Sequence, residues 1–117
     1  MGETRVRVKI YGPTDSTELE MLVDTGATFT KIPEPIATGL GLEAEEVIEV
    51  KLSDGSIRSR GLTEAKLEID GVKRTIPIAI GPEDEEPILG FTALEILRFK
   101  VDPVTKALER TIPIEYQ

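Results

Sequence analysis

The stretch that decides the fold is Leu22-Val23-Asp24-Thr25-Gly26-Ala27-Thr28. An ionisable side chain here interrupts an apolar, strand-like run and is followed by a hydroxyl residue and a glycine. A lone carboxylate at the end of a buried strand is costly unless another group shares or solvates its charge. One interpretation is a turn in which the Asp24 side chain bonds backbone amides of Thr25 and Gly26. The other is a functional carboxylate, and the stretch alone leaves both open.

The rest of the composition narrows the chemistry that Asp24 could serve. The other aspartates lie in turns or loops beside Ser, Gly, Glu or Pro, where backbone geometry favours Asp; they are Asp15, Asp54, Asp70, Asp84 and Asp102. The chain has no His and no Cys, which excludes Ser-His and Cys-His catalysis, disulfides and the usual zinc sites. Any catalysis must come from carboxylates, Lys, Tyr, hydroxyl groups or backbone, and we expect no metal and no other cofactor.

Length and charge indicate the class of protein and its partners. With 117 residues, 39% of them hydrophobic, the chain fits a single domain over residues 1–117. Its net charge of -8 argues against nucleic acid or an anionic membrane as partner. No apolar run approaches membrane-spanning length, so we expect a cytoplasmic protein. The absence of Asn and the single Gln indicate a thermophilic source.

Alternating apolar residues and turn signals predict a mostly β chain. Two Asp-Gly pairs, at 54–55 and 70–71, predict tight hairpin turns. Thr92 and Glu95 have the spacing of a capping box and predict a two-turn helix whose apolar residues lie between 93 and 97. The acidic segment 82–87 is interpreted as an exposed, solvated loop. Strands are predicted at residues 5–10, 18–24, 29–32, 47–52, 57–61, 63–69, 72–80 and 99–101, with a helical turn at 33–38 and a final hairpin and tail at 107–114.

These residues resemble a known family. Asp24-Thr25-Gly26-Ala27-Thr28 resembles the active-site signature of the aspartic proteases, and a single copy in a chain of this length is similar to the retroviral type, the retropepsins. Ile88-Leu89-Gly90, followed by a short helix, resembles the family's second element, which packs beside the Asp-Thr-Gly loop. The hairpin at 51–60 lies where the family places its flap. The resemblance, to a prokaryotic or archaeal version, implies a retropepsin-like closed or orthogonal β-barrel with one short α-helix in the C-terminal half.

The resemblance also implies an aspartic endopeptidase with Asp24, Thr25 and Gly26 as catalytic residues. Peptide hydrolysis of this type needs two carboxylates, one to deprotonate a water and one to protonate the scissile carbonyl. One chain offers one candidate, so the expected unit is a homodimer acting on a polypeptide substrate, with Asp24 of each copy on the two-fold axis. Thr25 would interlock with its mate beneath the two carboxylates. Gly26 would let the backbone approach a bound peptide, or alternatively supply permissive backbone angles.

The residues that the resemblance assigns to substrate binding are Ala27, Thr28, Ser53, Asp54, Gly55 and Ile88. The 51–60 hairpin has a polar tip where retroviral flaps are apolar, so a plain solvent-exposed hairpin is the alternative. Thr28 and Phe91 also replace the acid and the Arg that form an ion pair in the retroviral enzymes, which puts the detailed dimer contacts in doubt.

The sequence leaves two further questions open. The tail at 111–116 could form a dimer strand or complete the sheet of its own chain. The function could be proteolysis, or that of a non-catalytic peptide-binding or dimerisation module that retains the fold.

Overall fold

The computed structural model describes residues 2–116. Alternating apolar residues build most of its strands, and short polar turns connect them. The elements are β1 (Arg5–Tyr11), β2 (Ser16–Val23), β3 (Thr30–Pro33), α1 (Glu34–Gly39), β4 (Glu46–Lys51), β5 (Ile57–Ile69), β6 (Val72–Gly81), β7 (Ile88–Leu89), α2 (Phe91–Leu97), β8 (Phe99–Val101) and β9 (Leu108–Arg110).

Three hairpins of the fold follow directly from turn chemistry. β1 pairs antiparallel with β2, β4 with β5, and β5 with β6. At the β5–β6 turn, Asp70 and Gly71 both have positive φ, 48° and 80°, as the tightest hairpin turns require. The predicted Asp-Gly turns are therefore confirmed at both positions.

The sheet closes on itself and encloses the core. Its strand order is β1-β2-β7-β3-β6-β5-β4, and an additional pairing of β1 with the end of β5 completes the ring. The short β7 runs parallel to β2 and antiparallel to β3, so it lies between the strands before and after the Asp24 loop. Together with α2, this arrangement confirms the predicted mostly β, retropepsin-like fold.

The chain differs from the prediction along β5. Residues 57–61 and 63–69, predicted as two strands, form one strand whose first half pairs with β4 and whose second half pairs with β1. Gly61 lies near the end of the pairing with β4, and a Cβ at this position would approach the Cβ of Ala44 to 2.7 Å. The missing side chain therefore gives Ala44 room to pack against the continuous strand.

The interior is lined by aliphatic side chains from the barrel strands and from α2. Fully buried members include Val8, Ile10, Met21, Ile32, Leu67, Ile76, Ile78, Leu89 and Ala93. Burial on this scale is the main contribution to stability, because each aliphatic side chain removed from water contributes about 1.5–3 kcal/mol. Within residues 2–116, no helix is both long and apolar enough to span a membrane.

The tail at 111–116 forms no strand in the described structure. One hydrogen bond, from the Thr111 N–H to the Arg98 carbonyl at 2.9 Å, anchors its start. Ile112, Ile114 and Tyr116 are largely exposed. The alternative that this tail completes the sheet of its own chain is therefore wrong, because the strand pairing ends at Arg110.

Candidate active site

The Asp24 loop connects β2 to β3. Hydrogen bonds join it to β7 and to the start of α2, which follows β7 in the chain. The Asp24 N–H donates to the Leu89 carbonyl at 3.0 Å, which continues the pairing of β2 with β7 past Val23. Within the loop, the Ala27 N–H donates to the Asp24 carbonyl at 3.2 Å. The backbone of Asp24 is thus hydrogen-bonded through both its N–H and its carbonyl, so the position of its side chain is well defined.

The N-terminus of α2 holds the other end of this loop. The Phe91 N–H donates to the Ala27 carbonyl at 2.7 Å and the Thr92 N–H donates to the Thr28 carbonyl at 3.1 Å. These are first-turn amides, which have no partner inside their own helix. The predicted Thr92–Glu95 capping box is wrong for that reason: the helix begins at Phe91, its cap residue is Gly90, and loop carbonyls take the place of a capping side chain.

Gly90 also packs closely against the end of the loop and the start of β3. A Cβ at Gly90 would lie 2.5 Å from the carbonyl carbon and oxygen of Phe29. The Gly90 N–H donates to Thr30 Oγ1 at 3.1 Å, and the Thr30 side chain is fully buried. Thr30 was not among the residues predicted from sequence. A hydroxyl at a buried strand position was the available signal, because such a group needs a partner.

Thr30→Val should destabilise the protein by about 1–3 kcal/mol, because it leaves the Gly90 N–H buried without an acceptor at nearly unchanged volume. Urea denaturation followed by circular dichroism measures the free energy of unfolding. Thr75→Val is the matched control, since Thr75 is exposed on β6 and should change stability by less than about 0.5 kcal/mol. Equal stability of the Thr30 variant and the native protein would contradict the assigned hydrogen bond.

The Asp24 side chain is exposed in the single chain. Its Oδ1 accepts the Gly26 N–H at 2.9 Å, so the turn interpretation is correct as far as it goes. The expectation of a buried charge is wrong for the single chain, since Asp24 and the two residues after it are exposed. Gly26 has no positive φ, so the alternative of permissive backbone angles is also wrong. A Cβ at Gly26 would lie 3.3 Å from Asp24 Oδ1, and the missing side chain leaves space beside the carboxylate.

The loop, β7 and the start of α2 thus form one hydrogen-bonded unit around an exposed Asp-Thr-Gly. A family model described as "gag-polyprotein putative aspartyl protease" matches residues 8–95. The chain belongs to this aspartyl protease family. The match begins in β1 and ends in α2, so it includes both the Asp-Thr-Gly loop and the Gly90 contact. No curated protein matches the chain. A cytoplasmic location and a prokaryotic, thermophilic source stay predictions.

A groove of about 340 Å³ runs beside the Asp24 loop of this aspartyl protease family member. The loop side of the groove includes Gly26, Ala27, Thr28 and Ile88, and the opposite side is formed by residues 49–52 of β4 and the following turn. Three of the predicted substrate-binding residues, Ala27, Thr28 and Ile88, therefore lie together. Asp24 and Thr25 line a separate, more open depression on the other side of the loop.

The remaining predicted binding residues, Ser53, Asp54 and Gly55, form the tip of the 51–60 hairpin. All three are exposed, and none lines the groove. The turn is held by its own backbone, with the Leu52 N–H donating to the Ser56 carbonyl at 2.8 Å and the Gly55 N–H to the Leu52 carbonyl at 2.9 Å. In one chain the strand before the tip, rather than the tip, borders the groove.

Asp54 should titrate below an ordinary Asp. The Ser56 hydroxyl at 2.6 Å and then the Ser56 N–H at 2.9 Å donate to its carboxylate and lower its pKa. Because the folded pKa is depressed, this contribution to stability is present above the ordinary pKa and declines as pH falls through the folded one. Carboxyl NMR titration should show the Asp54 pKa rising towards its ordinary value in Ser56→Ala. An unchanged pKa in that variant would contradict the role of the hydroxyl.

Thr28 and Phe91, the positions of the missing ion pair, belong to the two backbone segments that are hydrogen-bonded to each other here. Their neighbours Thr92 and Ala27 complete the two hydrogen bonds that join α2 to the loop. The Phe91 ring remains 48% exposed beside the loop. Among the described residues, no group of three acidic side chains could hold a metal ion.

Proposed function

We propose that the chain is an aspartic endopeptidase that acts as a homodimer, with Asp24 of each copy in a shared catalytic pair. The observation that carries the proposal is the Asp-Thr-Gly loop, which presents its carboxylate to solvent although three hydrogen bonds join the loop to β7 and α2 and a fourth joins Gly90 to Thr30 directly after it. A turn-forming Asp needs no such support. A catalytic carboxylate does, because it must be held in place before the substrate arrives.

The chemistry then follows from two identical acids at one site. Two carboxylates in contact cannot both ionise cheaply, so the pair holds one proton between them. The ionised member takes a proton from a water, whose oxygen forms a bond to the scissile carbonyl carbon. The protonated member gives its proton to the carbonyl oxygen. As this tetrahedral intermediate collapses and the C–N bond breaks, the carboxyl that took the water proton gives it to the departing nitrogen. One hydroxyl of the intermediate returns its proton to the other carboxylate, which restores the singly protonated pair.

Exposed apolar side chains support a second copy as the missing partner. Phe91 is exposed directly beside the loop, and the tail adds Ile112, Ile114 and Tyr116. Large apolar and aromatic side chains that are exposed in a single chain are typical of protein interfaces. The groove supports a polypeptide substrate, because β4 borders it and an extended peptide can pair with a strand.

The polar tip of the 51–60 hairpin favours the second candidate, a non-catalytic peptide-binding or dimerisation module. Such a module would use the same groove and interface without hydrolysis. Retention of peptide binding by a protein that cleaves no extended substrate at any pH would favour it.

Phe91→Glu should weaken dimerisation by at least about tenfold in Kd without unfolding the chain, because it places like charges at an apolar contact beside the loop. Sedimentation velocity over a concentration series measures the equilibrium between the 12.8 kDa chain and its dimer. Val47→Glu is the matched control, since Val47 is also exposed but lies on β4. A native protein that stays monomeric at concentrations where it cleaves peptide would contradict the shared catalytic pair.

A further inference from the structure

Three charged side chains that the proposed mechanism does not use meet at the groove. Lys31 Nζ lies 2.5 Å from Glu85 Oε1, and Arg60 Nη2 lies 3.6 Å from Glu85 Oε2. Their side chains are 22%, 11% and 32% exposed for Lys31, Arg60 and Glu85. All three line the groove beside Ala27 and Thr28. The acidic loop at 82–87 is therefore not wholly solvated as predicted, since Glu85 turns inward.

The cluster has an excess of positive charge. The side chains of Lys31 and Arg60 share the single carboxylate of Glu85. Glu49 and Lys51, which also line the groove and are exposed, have opposite charges that add to zero. This occurs in a chain whose net charge is -8. Partly buried charges interact more strongly than exposed ones, so an unbalanced cation here is an effective anion site.

Arg60 is the member with donors to spare. Among the described residues, its Nη1 donates to the Ser59 carbonyl at 3.1 Å, and the 3.6 Å approach to Glu85 is longer than a hydrogen bond. A guanidinium offers five N–H donors in a planar fork that suits a carboxylate.

The fold also makes room for Lys31. A Cβ on the buried Gly81 would lie 2.8 Å from the Lys31 Cδ. The absence of a side chain at Gly81 lets Lys31 lie across the backbone and reach Glu85.

We infer that this groove binds an acidic side chain of the polypeptide substrate, with Arg60 and Lys31 as specificity-determining residues. The inference rests on the proposed function and adds the substrate class. Ala79 and Ile88 also line the groove and would surround the aliphatic part of a Glu side chain. Glu85 neutralises one cation, and the substrate carboxylate neutralises the other.

The test begins with binding, so that it does not depend on turnover. An equimolar library of synthetic decapeptides is passed over immobilised Asp24→Asn protein, and the retained peptides are sequenced by mass spectrometry. We expect enrichment of Glu or Asp at one position. Matched peptides with Glu or Gln at that position should then differ about tenfold in Kd, the range of a charge-assisted hydrogen bond.

Variants assign the preference to the cluster. Arg60→Gln and Lys31→Gln should each reduce the Glu-to-Gln affinity ratio towards one, whereas Glu85→Gln should raise it by freeing a cation. Arg58→Gln is the matched control, because it removes the same charge from an exposed position two residues earlier on β5. Retention of no peptide, no enrichment of acidic residues, or equal effects of the Arg60 and Arg58 variants would overturn the inference. Failure of the native protein to cleave the selected peptides would contradict the proposed function instead.

Discussion

Asp24→Asn should yield a folded protein that no longer cleaves peptide. The loss in kcat/KM should be at least about a thousandfold, since an amide can neither take a proton from water nor share one across the pair. The turn should survive, because Asn also carries an oxygen that can accept the Gly26 N–H now bonded to Asp24 Oδ1. Hydrolysis of an unfolded fluorescent protein substrate measures the activity, and thermal melting measures the fold.

Asp24→Ala is the informative companion. It removes the charge and the hydrogen bond to Gly26 together, so it should be as inactive as the Asn variant and also somewhat less stable, by about 1 kcal/mol. Turnover by Asp24→Asn equal to that of the native protein would contradict the mechanism. Loss of the native fold in Asp24→Asn would instead mean that the carboxylate is structural.

Gly90→Ala should strongly destabilise the protein although it adds a single methyl group. The added Cβ would lie 2.5 Å from backbone atoms of Phe29 and 2.9 Å from the Thr30 nitrogen, and backbone cannot move aside as a flexible side chain can. We expect a loss of about 3 kcal/mol or more in unfolding free energy. Displacement of the Asp24 loop should lower activity in whatever fraction stays folded.

Gly39→Ala is the matched control for this substitution. Gly39 ends α1, has no positive φ, and a Cβ there would meet nothing within 4 Å. Its replacement should be neutral or stabilising by up to about 1 kcal/mol. Chemical denaturation of the two variants side by side makes the comparison. Similar stabilities for both would contradict the close packing assigned to Gly90.

Much of the fold could be predicted from sequence because its signals are local. Alternating apolar residues define β1 and β2, and the Asp-Gly pairs define two hairpins whose turns need positive φ. The start of α2 could not be predicted in this way. Its first amides bond to carbonyls of Ala27 and Thr28, more than sixty residues earlier in the chain, so the local capping signal at Thr92 was misleading.

The residues of the candidate site can be proposed from sequence where residue chemistry alone suffices, but not where residues distant in sequence meet. Asp24 is the one aspartate that does not lie in an ordinary turn or loop context in the sequence. Gly90 belongs to the segment that was expected to pack beside the Asp24 loop. Lys31, Arg60 and Glu85 are ordinary surface residues in sequence, because nothing local shows that β3, β5 and the 82–87 loop converge on one groove. The placement of Ser53, Asp54 and Gly55 in the binding site likewise depends on a second chain, and it stays a prediction.

If each chain carries half of an active site, mixing native chains with inactive chains should reduce activity more than simple dilution does. Native protein and tagged Asp24→Asn protein are unfolded together, refolded at equal amounts, and assayed at fixed total concentration, with mixed dimers counted by native mass spectrometry. If both carboxylates are needed, only dimers of two native chains are active, and activity falls to about one quarter of that of native protein alone. Activity of about one half of that of native protein alone would mean that each native chain works equally well in a mixed dimer. That result would contradict a shared active site.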